Sequence, residues 1–148
     1  DFIRECRRVI RPGGTLVLST PNISALRSRW RWFLTGFHNK CKRPLDEGHP
    51  SPLHHISMVS FPELRYRLHA GGFRLRAVAT NRVKAAGWLY APVVPLAWLV
   101  TAGVFRREEK DPGQRLRNRE ILKQMFSVPV LFGETLIVKA ERAGQAGG

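Results

Sequence analysis

"RVIRPGGTLVLSTPN", Arg8 to Asn22, is the stretch of sequence that decides the fold. It begins inside an amphipathic helix, which is expected to end near Arg11 because Pro12 cannot continue it and Gly13 or Gly14 can adopt the positive φ of a helix cap. Thr15 to Thr20 then has a continuous apolar centre, which favours a strand of a parallel sheet covered by helices on both faces. A helix that leads by a short turn into such a strand is half of a β-α-β unit, so we predict an α/β protein with a doubly wound sheet.

The two ends of this strand have different expected roles. In open α/β sheets, ligands bind beyond the carboxyl ends of the strands. The turn Pro12-Gly13-Gly14 lies at the opposite edge, where a helix enters a strand, so we interpret its glycines as a turn and not as a phosphate cradle. The polar turn at the carboxyl end is expected to face a substrate, and its residues are Ser19, Thr20, Pro21 and Asn22.

The charge of the chain predicts an anionic partner. Its 148 residues carry 25 Lys and Arg against 11 Asp and Glu, a formal net charge of +14. Such an excess attracts nucleic acid or an anionic membrane surface, although a solvated basic surface is the simpler alternative. The arginines are spread over several segments, without zinc-finger spacing or an aromatic RNA-binding signature, which disfavours a nucleic-acid partner.

The cysteines and the start of the chain bear on its cellular context. Cys6 and Cys41 are too few for a disulfide framework and are typical of a reducing compartment, so a cytoplasmic location is expected. No signal peptide is visible. The chain starts at Asp1 within an apparent helix, and we expect that the N-terminal part of a larger protein precedes it.

Local signals predict the remaining helices. One is expected to start at Asn22 or Ser24, with aromatic residues along one face and arginines around it. Ser60-Phe61-Pro62-Glu63 has the form of a capping box, and Asp111-Pro112 that of an N-cap followed by a first-turn proline.

Two further strands are predicted. Phe73 to Thr80 alternates apolar and polar residues, the pattern of a half-exposed strand near a sheet edge. Val130 to Glu141, interrupted by Gly133, is the last predicted strand. Residues 143–148 are expected to form a disordered tail.

Together these segments resemble the late half of a class I S-adenosylmethionine-dependent methyltransferase. "RVIRPGG", an apolar strand and "STPN" are similar to the region of the family's fifth strand, and "GHPSPLHHISMVSFPELRYRLHAGGFRLRAVATNR" is similar to the segment that follows it. The last strand, "ETLIVKAER", suits the family's closing antiparallel strand. The likeness implies a partial Rossmann-like, doubly wound sheet with helical insertions, in which residues 1–142 are the C-terminal part of one methyltransferase domain and 85–107 are an apolar insertion.

The resemblance also implies S-adenosylmethionine as the cofactor of the full-length protein. The family builds its cofactor site from a glycine-rich turn after the first strand and from acidic residues near the ends of the second and fourth strands. This chain has no strand followed by a glycine-rich turn that opens a helix. The cofactor-binding residues are therefore expected upstream of Asp1, and this chain is expected to supply the substrate-side half.

Two loop histidines are the candidate catalytic residues. A general base is needed only when the methyl acceptor arrives protonated, and histidine titrates near neutrality. His55 is the first candidate, because it matches the family's histidine better, and His54 is the second; the alternative is that one of them caps the following helix. Their grouping with Cys41 and His49 fits none of the usual zinc spacings, so no metal is expected.

An uncharged, mostly apolar run from Ala85 to Phe105 suggests contact with a membrane. It is long enough to cross a bilayer, but Pro92 and Pro95 would each remove a backbone hydrogen bond from a single spanning helix. We therefore favour two short segments hinged near the prolines, which either cover the acceptor pocket or lie in the membrane interface; burial in a soluble core is the alternative. Trp30 on the preceding predicted helix is a further substrate-side candidate.

The sequence leaves two classes of function open. The first is S-adenosylmethionine-dependent methyl transfer to a small-molecule or lipid-like, membrane-proximal acceptor by a cytoplasmic protein that associates peripherally with anionic membranes. The second is a non-catalytic basic α/β module that docks on a membrane surface or on nucleic acid.

Overall fold

The computed structural model describes residues 2–41, 48–49 and 57–144. In chain order, the first elements are α1 (Phe2–Val9), β1 (Thr15–Pro21), α2 (Leu26–Thr35), α3 (Phe61–Ala70) and β2 (Phe73–Ala79). They are followed by a 3₁₀ helix (Ala85–Val93), α4 (Val94–Glu108), α5 (Pro112–Met125), α6 (Val128–Phe132) and β3 (Thr135–Arg142). The prediction of a mixed α/β protein is confirmed.

The three strands form a sheet in the order β1-β3-β2. β3 is antiparallel to both neighbours. Leu18 of β1 lies opposite Val138 of β3, and Phe73 of β2 lies opposite Arg142 of β3. A bulge between Leu75 and Ala77 shifts the register within β2. The prediction that β1 pairs within a parallel sheet is wrong for the described residues, because every hydrogen-bonded strand pair is antiparallel. β1 and β2 do run parallel to each other, with β3 between them.

One face of this sheet carries the core. Leu136, Val138 and Ala140 of β3 are buried against α1, α3, α5 and α6. The largest fully buried side chains include Phe61 and Phe73, at the first residues of α3 and β2.

The opposite face is open in the part of the chain that the structure describes. Val17, in the centre of β1, is 60% exposed beside the exposed Lys139. The expectation of helices on both faces is therefore wrong here. Leu16-Val17-Leu18 is an uninterrupted apolar run, but alternate side chains of a strand point to opposite faces, and only Leu16 is buried.

Three local predictions are confirmed by hydrogen bonds and backbone angles. The Ser60 Oγ accepts from the Glu63 N–H at 3.4 Å, and Asp111 Oδ2 accepts from the Gln114 N–H at 2.6 Å, so both side chains cap helices. Gly13 has a φ of 75°, which allows the chain to reverse from α1 into β1.

Two element boundaries differ from the prediction. α2 begins at Leu26 instead of Asn22 or Ser24, because the Asn22 side chain holds a turn: its Oδ1 accepts from the Ser24 N–H at 3.1 Å. The segment Val128–Phe132 is helical and precedes β3, so the predicted strand at Val130 starts five residues too early. Pro129 explains this, since proline is favoured in the first turn of a helix.

The apolar run forms the two segments expected from its prolines. The 3₁₀ helix contains Pro92, and α4 begins at Val94 with Pro95 in its first turn. The combined segment Ala85–Glu108 is long and apolar enough to cross a membrane, but only 6% of its most apolar part is buried. Most of this segment is thus exposed within the described structure, and whether it lies in a membrane or packs in a soluble core stays a prediction.

At the end of the chain, the Ala143 N–H donates to the Gly72 carbonyl at 2.9 Å, which ties this residue to the start of β2. Residues 145–148 of the predicted tail lie outside the described residues.

Candidate functional site

A cavity of about 310 Å³ lies at the carboxyl end of β1, the edge at which the sequence places a ligand. It is bordered by the start of α2, the segment after α2, the start of the 3₁₀ helix, and the turn from α6 into β3. Most of its charged side chains are basic. The polar residues that line it are Asn22, Arg27, Arg31, Asn39, Lys40, Lys84 and Glu134.

Glu134 is the centre of the cluster of charges in this cavity. Lys40 Nζ and Lys84 Nζ each lie 2.9 Å from its Oε1, and Arg82 Nη2 lies 2.6 Å from its Oε2. The hydrogen bonds from Lys40, Lys84 and Arg82 hold the pKa of the Glu134 carboxyl far below its usual range, against the opposing effect of burial. One carboxylate thus partners three cations and leaves a local excess of positive charge.

The backbone around Glu134 fixes its position. The Asn22 N–H donates to the Glu134 carbonyl at 3.2 Å, and the Glu134 N–H donates to the Arg82 carbonyl at 2.9 Å. The end of β1, the start of β3 and the chain after β2 are therefore joined at one residue. This junction brings Lys84 and Lys40 to the same carboxylate oxygen.

Two further cations line the cavity from α2. Arg27 and Arg31 are four residues apart, so they lie on the same face of the helix. Neither side chain makes a hydrogen bond or ion pair to another residue that the structure describes. Like charges at this spacing repel, so an anion bound between the two arginines would be favourable.

Asn22 has a structural role within this cavity. Its buried Nδ2 lies 3.0 Å from the carbonyl oxygens of Pro129, Val130 and Gly133. These bonds join the end of β1 to α6. Asn22 lines the cavity as a substrate-side prediction would require, but its amide is already engaged by the protein.

Ser19 and Thr20 line a different region from Asn22. They border an open groove of about 1040 Å³ along β1, together with Phe2, Arg7 and Tyr66 from α1 and α3. The structure therefore separates these two predicted substrate-side residues from the cavity at the strand end. Pro21 is the last residue of β1 and lies between the two regions.

Trp30 is half-exposed, with its ring 6.1 Å from that of Phe33 and 6.5 Å from that of Tyr90. The Tyr90 contact joins α2 to the 3₁₀ helix. In the same helix, Trp88 stacks on Phe132 at 4.5 Å, and Gly87 lines the cavity. The 3₁₀ helix therefore connects the basic cavity with exposed aromatic side chains.

His54 and His55, the predicted catalytic residues, lie outside the described residues. Two other histidines have clear surroundings. His38 Nδ1 lies 3.0 Å from Ser28 Oγ. Burial lowers the pKa of the His38 imidazole more than a hydrogen bond with the Ser28 backbone raises it. Burial and the nearby charge of Arg65 lower the pKa of His69, whose Nε2 accepts from the Leu75 N–H at 3.5 Å. Neither of these histidines lines the cavity.

Sequence reasoning did not identify Glu134, Lys40 and Arg82. Glu134 is 94 residues from Lys40 and 52 from Arg82, so no local pattern links them. Among the residues that the structure describes, no three His, Cys, Asp or Glu side chains are grouped to hold a metal ion.

No known protein-family model matches this sequence, and no curated protein matches it.

Proposed function

We propose that this chain is the substrate-side part of an S-adenosylmethionine-dependent methyltransferase that acts on a lipid-like or membrane-proximal acceptor. The observation that carries the proposal is the cavity at the carboxyl end of β1, directly after "STPN". This is the edge at which doubly wound α/β proteins bind their ligands.

The arrangement of the strands supports this reading. β1 and β2 run in the same direction and are connected through α2 and α3, as a parallel crossover requires. Doubly wound sheets often include an antiparallel strand among parallel ones, and β3 would be the family's closing antiparallel strand. On this proposal, the three strands are the late part of a larger mixed, Rossmann-like sheet.

The cofactor would be held mainly by residues that precede Asp1. β1 has one strand neighbour among the described residues, so its other edge offers backbone groups to a further strand. The open groove next to β1 is lined by Ser19 and Thr20. We propose that the cofactor-binding strands extend the sheet there, and that these two residues lie near the junction of the two halves.

Methyl transfer from a sulfonium makes modest demands on side chains. The reaction is an in-line displacement, so catalysis depends largely on holding the acceptor and the methyl group in near-attack geometry. His55, with His54 as the second candidate, would remove a proton from an acceptor hydroxyl or ammonium. Trp30 and the 3₁₀ helix, next to the cavity, would position the acceptor.

The exposed apolar side chains support a membrane-proximal acceptor. Leu89, Leu96 and Leu99 are 62–80% exposed, and large exposed apolar surfaces usually mark interaction sites. On this proposal, the protein is cytoplasmic and associates peripherally with membranes, and Ala85–Glu108 lies in the interface.

The test uses the full-length protein and methyl-labelled S-adenosylmethionine. The protein is incubated with total membrane lipids, and label is counted after partition into organic solvent. Label in the organic phase that depends on active protein supports the proposal. The absence of transfer to lipid, together with the absence of cofactor binding by the full-length protein, would refute it.

The second candidate is a non-catalytic basic module that docks on a membrane. The exposed apolar helices and the cation-rich cavity favour it independently of any methyl transfer. Full-length protein that binds anionic vesicles but does not bind S-adenosylmethionine would identify this function instead.

A further inference from the structure

We infer that the cavity at the carboxyl end of β1 binds the phosphate of an anionic phospholipid head group, while the adjoining apolar helices lie in the bilayer interface. The inference deepens the proposed function and rests on its membrane-docking part. It does not depend on methyl transfer, because the same cavity would orient a non-catalytic module.

The charges in the cavity favour a bound anion. Arg27, Arg31, Lys40 and Lys84 line it, and among the described residues Glu134 is the one carboxylate in the lining. Glu134 is already shared by Lys40, Lys84 and the nearby Arg82. The two arginines have no partner among the described residues, so an anion between them would relieve their mutual repulsion.

The donors suit a phosphate in particular. A guanidinium presents paired N–H donors that match two oxygens of a phosphate, and lysine contributes a compact charge. The cavity is at the small end of the usual range for ligand sites, about 300–1000 Å³. It has room for a phosphate and part of its head group, while the acyl chains would remain outside.

The surroundings of the cavity favour a lipid over a soluble phosphate. Gly87 lines the cavity, and the next two residues, Trp88 and Leu89, are 50% and 80% exposed. On α2, the half-exposed Trp30 contacts Tyr90 of the same 3₁₀ helix. Anion-binding side chains and exposed apolar side chains are thus neighbours, which is the arrangement at a membrane surface.

The exposed leucines also favour a membrane over nucleic acid. Single-stranded nucleic acid stacks its bases on aromatic rings, and Trp30 and Trp88 offer such rings. Leu89, Leu96 and Leu99 are aliphatic and have no comparable role with bases, but they match the acyl boundary of a bilayer.

The inference is tested with vesicle flotation of the full-length protein in the absence of S-adenosylmethionine. The vesicles are phosphatidylcholine alone or phosphatidylcholine with phosphatidylglycerol. The cavity variant is Arg27→Gln/Arg31→Gln. The charge-matched control is Arg11→Gln/Arg74→Gln, in which both changed residues are exposed and lie near the other end of the sheet.

The wild type is expected to float with vesicles that contain phosphatidylglycerol and to bind phosphatidylcholine much more weakly. The cavity variant should bind the anionic vesicles about thirty-fold more weakly, which corresponds to two cations at about 1 kcal/mol each. The control should change binding less than about three-fold, because its cations would lie away from the bilayer. If the two variants lose vesicle binding equally, the protein is held to the anionic vesicles by diffuse electrostatic attraction, and the assignment of the cavity as the phosphate site is overturned.

Three further measurements identify the source of the anion. Leu89→Ser/Leu99→Ser should weaken flotation with the cavity intact, whereas unchanged flotation would overturn the interfacial placement. Titration calorimetry with glycerol 1-phosphate should give no binding below millimolar concentration; micromolar binding together with absent flotation would assign the cavity to a soluble phosphate. Tighter binding to single-stranded RNA than to anionic vesicles would also overturn the lipid assignment. Methyl transfer is measured separately, so failure of either proposal can be recognised.

Discussion

Replacement of Glu134 by Gln is expected to destabilise the protein by about 2 kcal/mol. The substitution keeps the shape of the side chain but removes the charge that partners Lys40, Lys84 and Arg82. The cations are 35–62% exposed, while the Glu134 side chain is only 14% exposed. An exposed ion pair contributes about 0–1 kcal/mol, so three pairs that share one carboxylate give a sum of about 2 kcal/mol.

The assay is equilibrium urea unfolding at several pH values. A loss of this size should also lower the melting temperature by about 4–8 °C, since 1 kcal/mol shifts a chain of this length by about 2–4 °C. Because the folded pKa of Glu134 lies below the ordinary value of 4.5, the carboxylate contributes its full stability above pH 4.5. That contribution falls as the pH drops below this value, so the difference between wild type and variant should shrink in acid.

Glu141→Gln is the matched control. Glu141 is also on β3 and pairs with a single arginine, Arg76, at 2.8 Å, with both side chains exposed. Loss of this exposed ion pair should lower the free energy of unfolding by about 0.5 kcal/mol. Equal destabilisation by the two substitutions, or a Glu134 effect that does not depend on pH between 3 and 7, would refute the reasoning about the shared carboxylate.

Three other predictions follow from the cavity and its proposed function. Asn22→Ala should lower the free energy of unfolding in urea by about 2 kcal/mol, because buried carbonyl groups lose their hydrogen-bond donor. The control Asn81→Ala changes an exposed side chain and should alter the free energy of unfolding by less than about 0.5 kcal/mol. Similar values for the two variants would contradict the structural role of Asn22. This 148-residue chain alone should not bind S-adenosylmethionine in titration calorimetry, and micromolar binding would place the cofactor contacts within it. In the full-length protein, His55→Ala should lower turnover more than cofactor affinity; unchanged turnover with a lower melting temperature would indicate a helix-capping role.

The sequence alone determined the local structure well. The caps at Ser60 and Asp111, the turn at Gly13 and the division of the apolar run near Pro92 all depend on residues within one helical turn of each other. Capping and backbone geometry act over three or four residues, so such features can be predicted from residues that are adjacent in the sequence.

The same local rules misplaced two features. The apolar run in β1 predicted two covered faces and a parallel partner, but burial and strand direction depend on which distant segment pairs with β1, and that segment is β3. Val130–Phe132 has strand-forming residues, yet it is helical because Pro129 lies in the first turn of α6, which packs into the core and accepts hydrogen bonds from Asn22.

The candidate site depended on the tertiary structure. From "STPN" the sequence predicts a ligand at the carboxyl end of β1, but it could not show that Glu134, 94 residues from Lys40, would hold Lys40, Lys84 and Arg82 together. It also could not show that Ser19 borders the groove along β1 while Asn22, three residues later, lines the cavity at the strand end. Side chains separated this far along the chain meet only after the strands have paired, because the pairing register sets which charges face each other, and no local pattern specifies that register.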